Sequence, residues 1–104
     1  MIQLFQTATG YAPILVCDHC GERIENAELA AAVSPLSGKY QNGNRRILHV
    51  HKGSCFDAIE RMEGENCSWE ELSIHVRLLA ENVTLSPQEL IEQKNVDAEW
   101  GINK

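Results

Sequence analysis

No stretch of this 104-residue sequence approaches the roughly 18 to 20 consecutive apolar residues that a membrane-spanning helix needs. Also missing are the basic start and compact apolar run of a secretory leader. The first 16 residues carry no charge, and Gln3, Gln6, Thr7, Thr9 and Gly10 break up their apolar character. The chain therefore reads as cytoplasmic, with no membrane partner. There is no internal repeat and no low-complexity tract. Nor is there a phosphate-binding glycine loop, a convincing nucleophile–base pair or a paired acid set in a recognisable frame, so no enzyme class is indicated.

Basic charge is scarce and unevenly placed. The net charge is −6. Residues 1–56 hold five basic and four acidic residues, a balance of +1, whereas residues 57–104 hold four basic and eleven acidic ones, a balance of −7. The second half would be repelled by a phosphate backbone, so any nucleic-acid contact must come from the first. The apolar fraction of 43% suits a folded protein. A core built from so few residues is nevertheless thin, and small domains often need a metal or disulfide staple. In a reducing cytosol the four cysteines are expected as metal ligands or free thiols.

The pattern of elements is mixed. Residues 2–6 suit a short strand, and Ile14, Leu15 and Val16 form a brief apolar run into Cys17. Ala27, Leu29, Ala31 and Val33 alternate with their neighbours, which favours a strand over 27–33. Turn residues follow from Ser34 to Asn44, and Arg46 to Val50 reads as the returning strand of a long-looped hairpin. Ser54 and Asp57 suit a helix start, with Phe56, Ile59 and Met62 on one side and Gly64 as the stop. Ser68 and Glu71 form a capping-box pattern for a second helix, with Leu72, Val76, Leu79 and Val83 as its apolar stripe. Ser86, Pro87 and Glu89 announce a third helix, with Leu90 and Ile91 as its apolar residues.

Chemistry concentrates in two pairs. Cys17 and Cys20, in Cys-Asp-His-Cys-Gly, are two residues apart, so one turn can aim both sulfurs at one ion. After 30 intervening residues come His51, at the end of the returning strand, and Cys55, in the first helical turn. A helix start favours a thiolate at Cys55 because its unpaired N–H groups carry partial positive charge. Together the four donors can close a tetrahedron around one zinc ion. The alternative of a redox CxxC pair needs a βαβ context, and a hairpin follows instead.

The order CDHCG, long hairpin, HKGSC, helix resembles a treble-clef zinc finger. It is similar to half of a LIM domain or to the fingers of poly(ADP-ribose) polymerases. The resemblance covers about residues 15–63. It departs in spacing the second pair by three residues where such fingers usually have two. Together with the element pattern it leads to an α+β fold: residues 1–12 as a leading segment, 13–64 as a treble-clef zinc-binding domain, and 65–104 as an acidic arm of two helices packing on it.

His49, two residues before His51, competes with it as a ligand, and His51 is preferred because it lies nearer Cys55 and the strand end. His19, between the knuckle cysteines, is expected to face solvent, Cys67 to be a partly buried free thiol in an interhelical linker, and His75 to be a packed or surface residue. Trp69 and Trp100 are expected to cover apolar surface. The function indicated is a zinc-stabilised, non-catalytic module that binds another protein. Lys39, Arg45, Arg46 and Lys52 supply the alternative, nucleic-acid binding through the basic hairpin loop. A metal-dependent nuclease or hydrolase is disfavoured. The overlapping ββα-metal nucleases need a histidine base where this sequence reads Val33-Ser34-Pro35, and a weakly held metal at His49 would be the one remaining route.

Overall fold

The computed structural model describes residues 1–35, 45–63 and 67–92. They form a mixed α/β arrangement of two small antiparallel sheets and three helices. The first sheet pairs β1 (Ile2–Gln6) with β2 (Tyr11–Leu15), and Thr7 and Gly10 close the turn through an N–H···O bond of 2.7 Å. The strand expected at 2–6 is present. Its partner starts at Tyr11, three residues ahead of the expected apolar run, and ends at Leu15, one residue short of Val16.

The second sheet has three strands in the order β4, β3, β5: β3 is Ala30–Pro35, β4 is Leu48–His51 and β5 is Cys67–Glu71. The expected hairpin forms, with Ala30 opposite His51 and Val33 opposite Leu48. The expected strand over 27–33 is displaced, however. Ala27–Leu29 make a 3₁₀ turn capped by Asn26, whose side-chain oxygen accepts from the Glu28 amide at 2.9 Å. The expected alternation also fails, because every residue of β3 is buried. As the central strand it is covered on both faces, and a doubly covered strand carries a continuous apolar run. Ala30, Ala31 and Ala32 fit because small side chains let neighbouring elements approach closely.

Residues 68–71 correct a second expectation. They form strand β5, antiparallel to β3 with Ser34 opposite Ser68, rather than the first turn of a helix. The physical reason is the far edge of β3. Its buried N–H and C=O groups need partners, and a second strand satisfies them together. A local capping pattern cannot match that. Ser68 spends its hydroxyl on the Ser34 carbonyl at 3.4 Å instead of on a helix start.

Helix α1 (Ser54–Met62) follows β4 through a turn in which Gly53 adopts φ +85°. That conformation favours glycine, so Gly53 takes the capping position and Ser54 becomes the first helical residue. Ile59 is buried and Phe56 half-buried, whereas Met62 is exposed. The expected stop at Gly64 lies outside the described residues. Helix α2 (Leu72–Asn82) buries Leu72 and Leu78. Of its expected stripe, Val76, Leu79 and Val83 are exposed instead. Helix α3 (Pro87–Glu92) starts on a realised capping box. The Ser86 amide donates to Glu89 Oε1 at 2.8 Å, and the Glu89 amide donates to the Ser86 hydroxyl at 3.2 Å. Leu90 and Ile91 are exposed. The core joins Cys17, Ile24, β3, Val50, Cys55, Ile59 and Leu72.

Candidate metal centre

Cys17 and Cys20 sit on a tight turn that leaves β2 and doubles back. The turn is closed by the Cys17 amide on the Glu22 carbonyl at 2.8 Å and the Gly21 amide on the Cys17 carbonyl at 3.0 Å. Gly21 has φ +80°, the left-handed conformation that the sharp reversal requires. The turn is tied to β4. The Asp18 amide donates to the His49 carbonyl at 2.8 Å, and the His49 amide donates to Asp18 Oδ2 at 2.7 Å. These two bonds bring the end of β4, and with it His51, alongside the turn. Gly53 then redirects the chain so that Cys55 enters from α1.

The four donor atoms of Cys17, Cys20, His51 and Cys55 all lie within 4.8 Å of one another, close enough to hold one metal ion. His51 Nδ1 is 3.5 Å from Cys20 Sγ and 4.0 Å from Cys55 Sγ. Edges of about 3.6 to 3.8 Å are what tetrahedral zinc with sulfur and nitrogen ligands needs, so a small contraction closes the site. The donor set of three thiols and one imidazole suits zinc. Cys17 and Cys55 are buried, His51 is half-buried and Cys20 is exposed, so the site lies where the core meets solvent.

The surrounding groups favour ligation. The amides of His19 and Cys20 point at Cys17 Sγ from 3.4 and 3.5 Å, and the Glu22 amide points at Cys20 Sγ from 3.5 Å. Such donors stabilise thiolates. His51 Nε2 is 3.3 Å from the Arg23 carbonyl, which as a donor contact leaves the Nδ1 lone pair facing the sulfurs. Burial pushes the Cys17 thiol up, but backbone donation from Cys20, His51 and His19 outweighs it and lowers the thiol to about 6. Cys55 is raised to about 12, by burial first and then by the neighbouring Cys17 and Cys20. A cluster that ionises readily at one sulfur and resists at another is short of positive charge, and a divalent cation supplies it.

His49 lies outside this cluster. Its Nδ1 is 3.8 Å from Asp18 Oδ2, and its ring packs at 5.6 Å, tilted, on that of His75. Burial, the nearby amino group of Met1 and His75 lower its pKa to about 4 against the opposing pull of Asp18. His75 is half-buried, with Nδ1 3.0 Å from the fully buried carboxylate of Glu70. Cys67 begins β5 beside the core, and burial raises its thiol, with Glu63 and Glu60 adding to the effect. Of the basic residues, Arg46 pairs with Glu63 and Lys52 with Glu71, while Arg45 is exposed and Lys39 lies outside the described residues. Trp69 packs edge-on to Phe56 at 5.9 Å, and Trp100 lies outside the described residues. Sequence reasoning does not reach Asp18 as the tie to β4. Arg23 contributes through its carbonyl, which side-chain patterns do not encode. No family model, no curated protein and no solved structure matches the chain.

Proposed function

We propose that this chain is a treble-clef-type finger holding one structural zinc ion on Cys17, Cys20, His51 and Cys55, and that it serves as a non-catalytic module binding another protein. The observation that carries this reading is the convergence of the four donors within 4.8 Å from two pairs separated by 30 residues. With four protein ligands the tetrahedron is complete, leaving no position for water or substrate. The ion would contribute folding energy by joining the knuckle, β4 and α1 at one point. Protein binding is supported by the apolar side chains left exposed on β1 and α2, since clustered exposed apolar surface marks interaction sites. The pairing of Arg46 and Lys52 with carboxylates works against nucleic-acid binding.

Metal analysis of the purified chain tests the reading. One zinc per chain is expected, and Cys17→Ser should lose both the metal and the folded circular dichroism spectrum. Unchanged metal content and fold in that variant would overturn it.

A further inference from the structure

The two edges of the β1–β2 sheet are unlike. The Val16 amide donates to the Met1 carbonyl at 2.8 Å and the Thr7 amide to the Gly10 carbonyl at 2.7 Å. Inward bonding in an antiparallel pair alternates along each strand. With this register the backbone groups of Gln3 and Phe5 face β2, and those of Ile2, Leu4 and Gln6 face outward. On β2 the outward residues are Tyr11, Pro13 and Leu15. Pro13 has no N–H to offer, and the Leu15 carbonyl already accepts from the Ile24 amide at 2.8 Å. That edge is closed. The outer edge of β1 pairs with no strand among the described residues. It carries no charge, no proline and no bulge, the devices that usually guard a free edge. Every residue of β1 is exposed.

We propose that β1 is a self-association edge, pairing antiparallel with β1 of a second copy of this chain. Charge selects that occupant. The molecule is acidic overall at −6, yet the side chains of its first 16 residues are uncharged and the Met1 amino group is paired with Asp18, so two copies can meet here with little repulsion. The edge is also self-complementary. A two-fold axis at Leu4 sets Leu4 opposite Leu4 of the second copy and Ile2 opposite its Gln6. All three outward residues on each strand then find hydrogen-bonding partners. A two-stranded ribbon, marginal by itself, becomes four strands. Directly opposed residues share a face, so Ile2, Leu4, Pro13 and Leu15 of both copies form one apolar surface. This deepens the interaction-module reading by naming the partner. Mass and metal content are measured separately, so either reading can fail alone.

The test is sedimentation equilibrium of the full zinc-loaded chain from about 10 μM to about 1 mM, with amide exchange followed by NMR. The mass should rise from 11.7 kDa toward twice that value. Exchange at Ile2, Leu4 and Gln6 should slow by at least about tenfold with concentration, while Gln3 and Phe5, already bonded to β2, change little. Leu4→Pro removes only an outward N–H, and Leu4→Lys sets like charges opposite each other. Both should stay monomeric with parental zinc content and helix signal. A parent chain that stays at 11.7 kDa throughout overturns the proposal. So does a folded Leu4→Lys variant that associates as the parent does.

Discussion

The β4–β3–β5 sheet and the β1–β2 sheet are built from similar lengths of strand and end in opposite states. In the first, all of β3 is buried, and four donor side chains converge at the end of β4. In the second, all of β1 is exposed. The contrast shows where a small chain places its stabilising contacts. One region gathers the apolar surface and the candidate metal ligands. The other keeps its backbone pairing, half-buries part of β2 and leaves the side chains of β1 without cover. In the proposed reading the first carries the folding energy and the second offers its edge to a partner.

The sharpest break of that contrast is removal of the proposed metal. A chelator, or Cys55→Ser, should unfold the three-stranded sheet, because structural zinc in small fingers contributes roughly 10 kcal/mol or more. Circular dichroism and one-dimensional NMR would show the loss. Native dispersion persisting in excess chelator would mean that the core alone sustains this region. The next effect is a packing one. Leu72→Ala, at a side chain 2% exposed, should cost about 2 to 4 kcal/mol in urea unfolding. Leu4→Ala, at 68% exposure, should cost under about 0.5 kcal/mol in a dilute sample. Equal costs would erase the distinction between the regions. Smaller than the Leu72→Ala loss is that of Gly53→Ala, where a φ of +85° penalises any Cβ even though space is open around it. A loss of about 1 to 2 kcal/mol is expected.

The same contrast explains what sequence could reveal. The candidate site was legible because ligand spacing is local within each pair, and only the meeting of Cys17 and Cys20 with His51 and Cys55 is long-range. The β1 strand and the β3–β4 hairpin were legible from apolar pattern and turn residues. Strand β5 was not. Ser68 and Glu71 match a helix-capping pattern, and nothing within those four residues reports that β3 offers a buried edge. Ala30, Ala31 and Ala32 hid the depth of β3, because alternation signals one covered face and this strand has two. Val76, Leu79 and Val83 form a genuine helical stripe, but periodicity does not state whether the chain supplies a cover for it. Leu72, the first residue of the expected stripe, joins the core, and Leu78, off the stripe, is the other buried residue of the helix.

The mildest test uses pH and separates the protein's imidazoles from its candidate ligands. Burial lowers the pKa of His75 below its ordinary 6.5. A histidine depressed in this way binds a proton more readily in the unfolded chain. Its stabilising contribution is therefore fully present above about 6.5 and fades as the pH falls toward its lowered value. Other groups also take up protons as the pH falls, His49 among them, so the parent's pH profile alone does not isolate His75. The difference between parent and His75→Gln does. Glutamine keeps a polar group beside Glu70 and cannot take up a proton in this range. The variant's unfolding free energy should therefore fall less steeply between pH 7 and pH 5. Parallel profiles would mean that His75 titrates alike in both states, and that the packing around Glu70 and His49 does not discriminate against its charge.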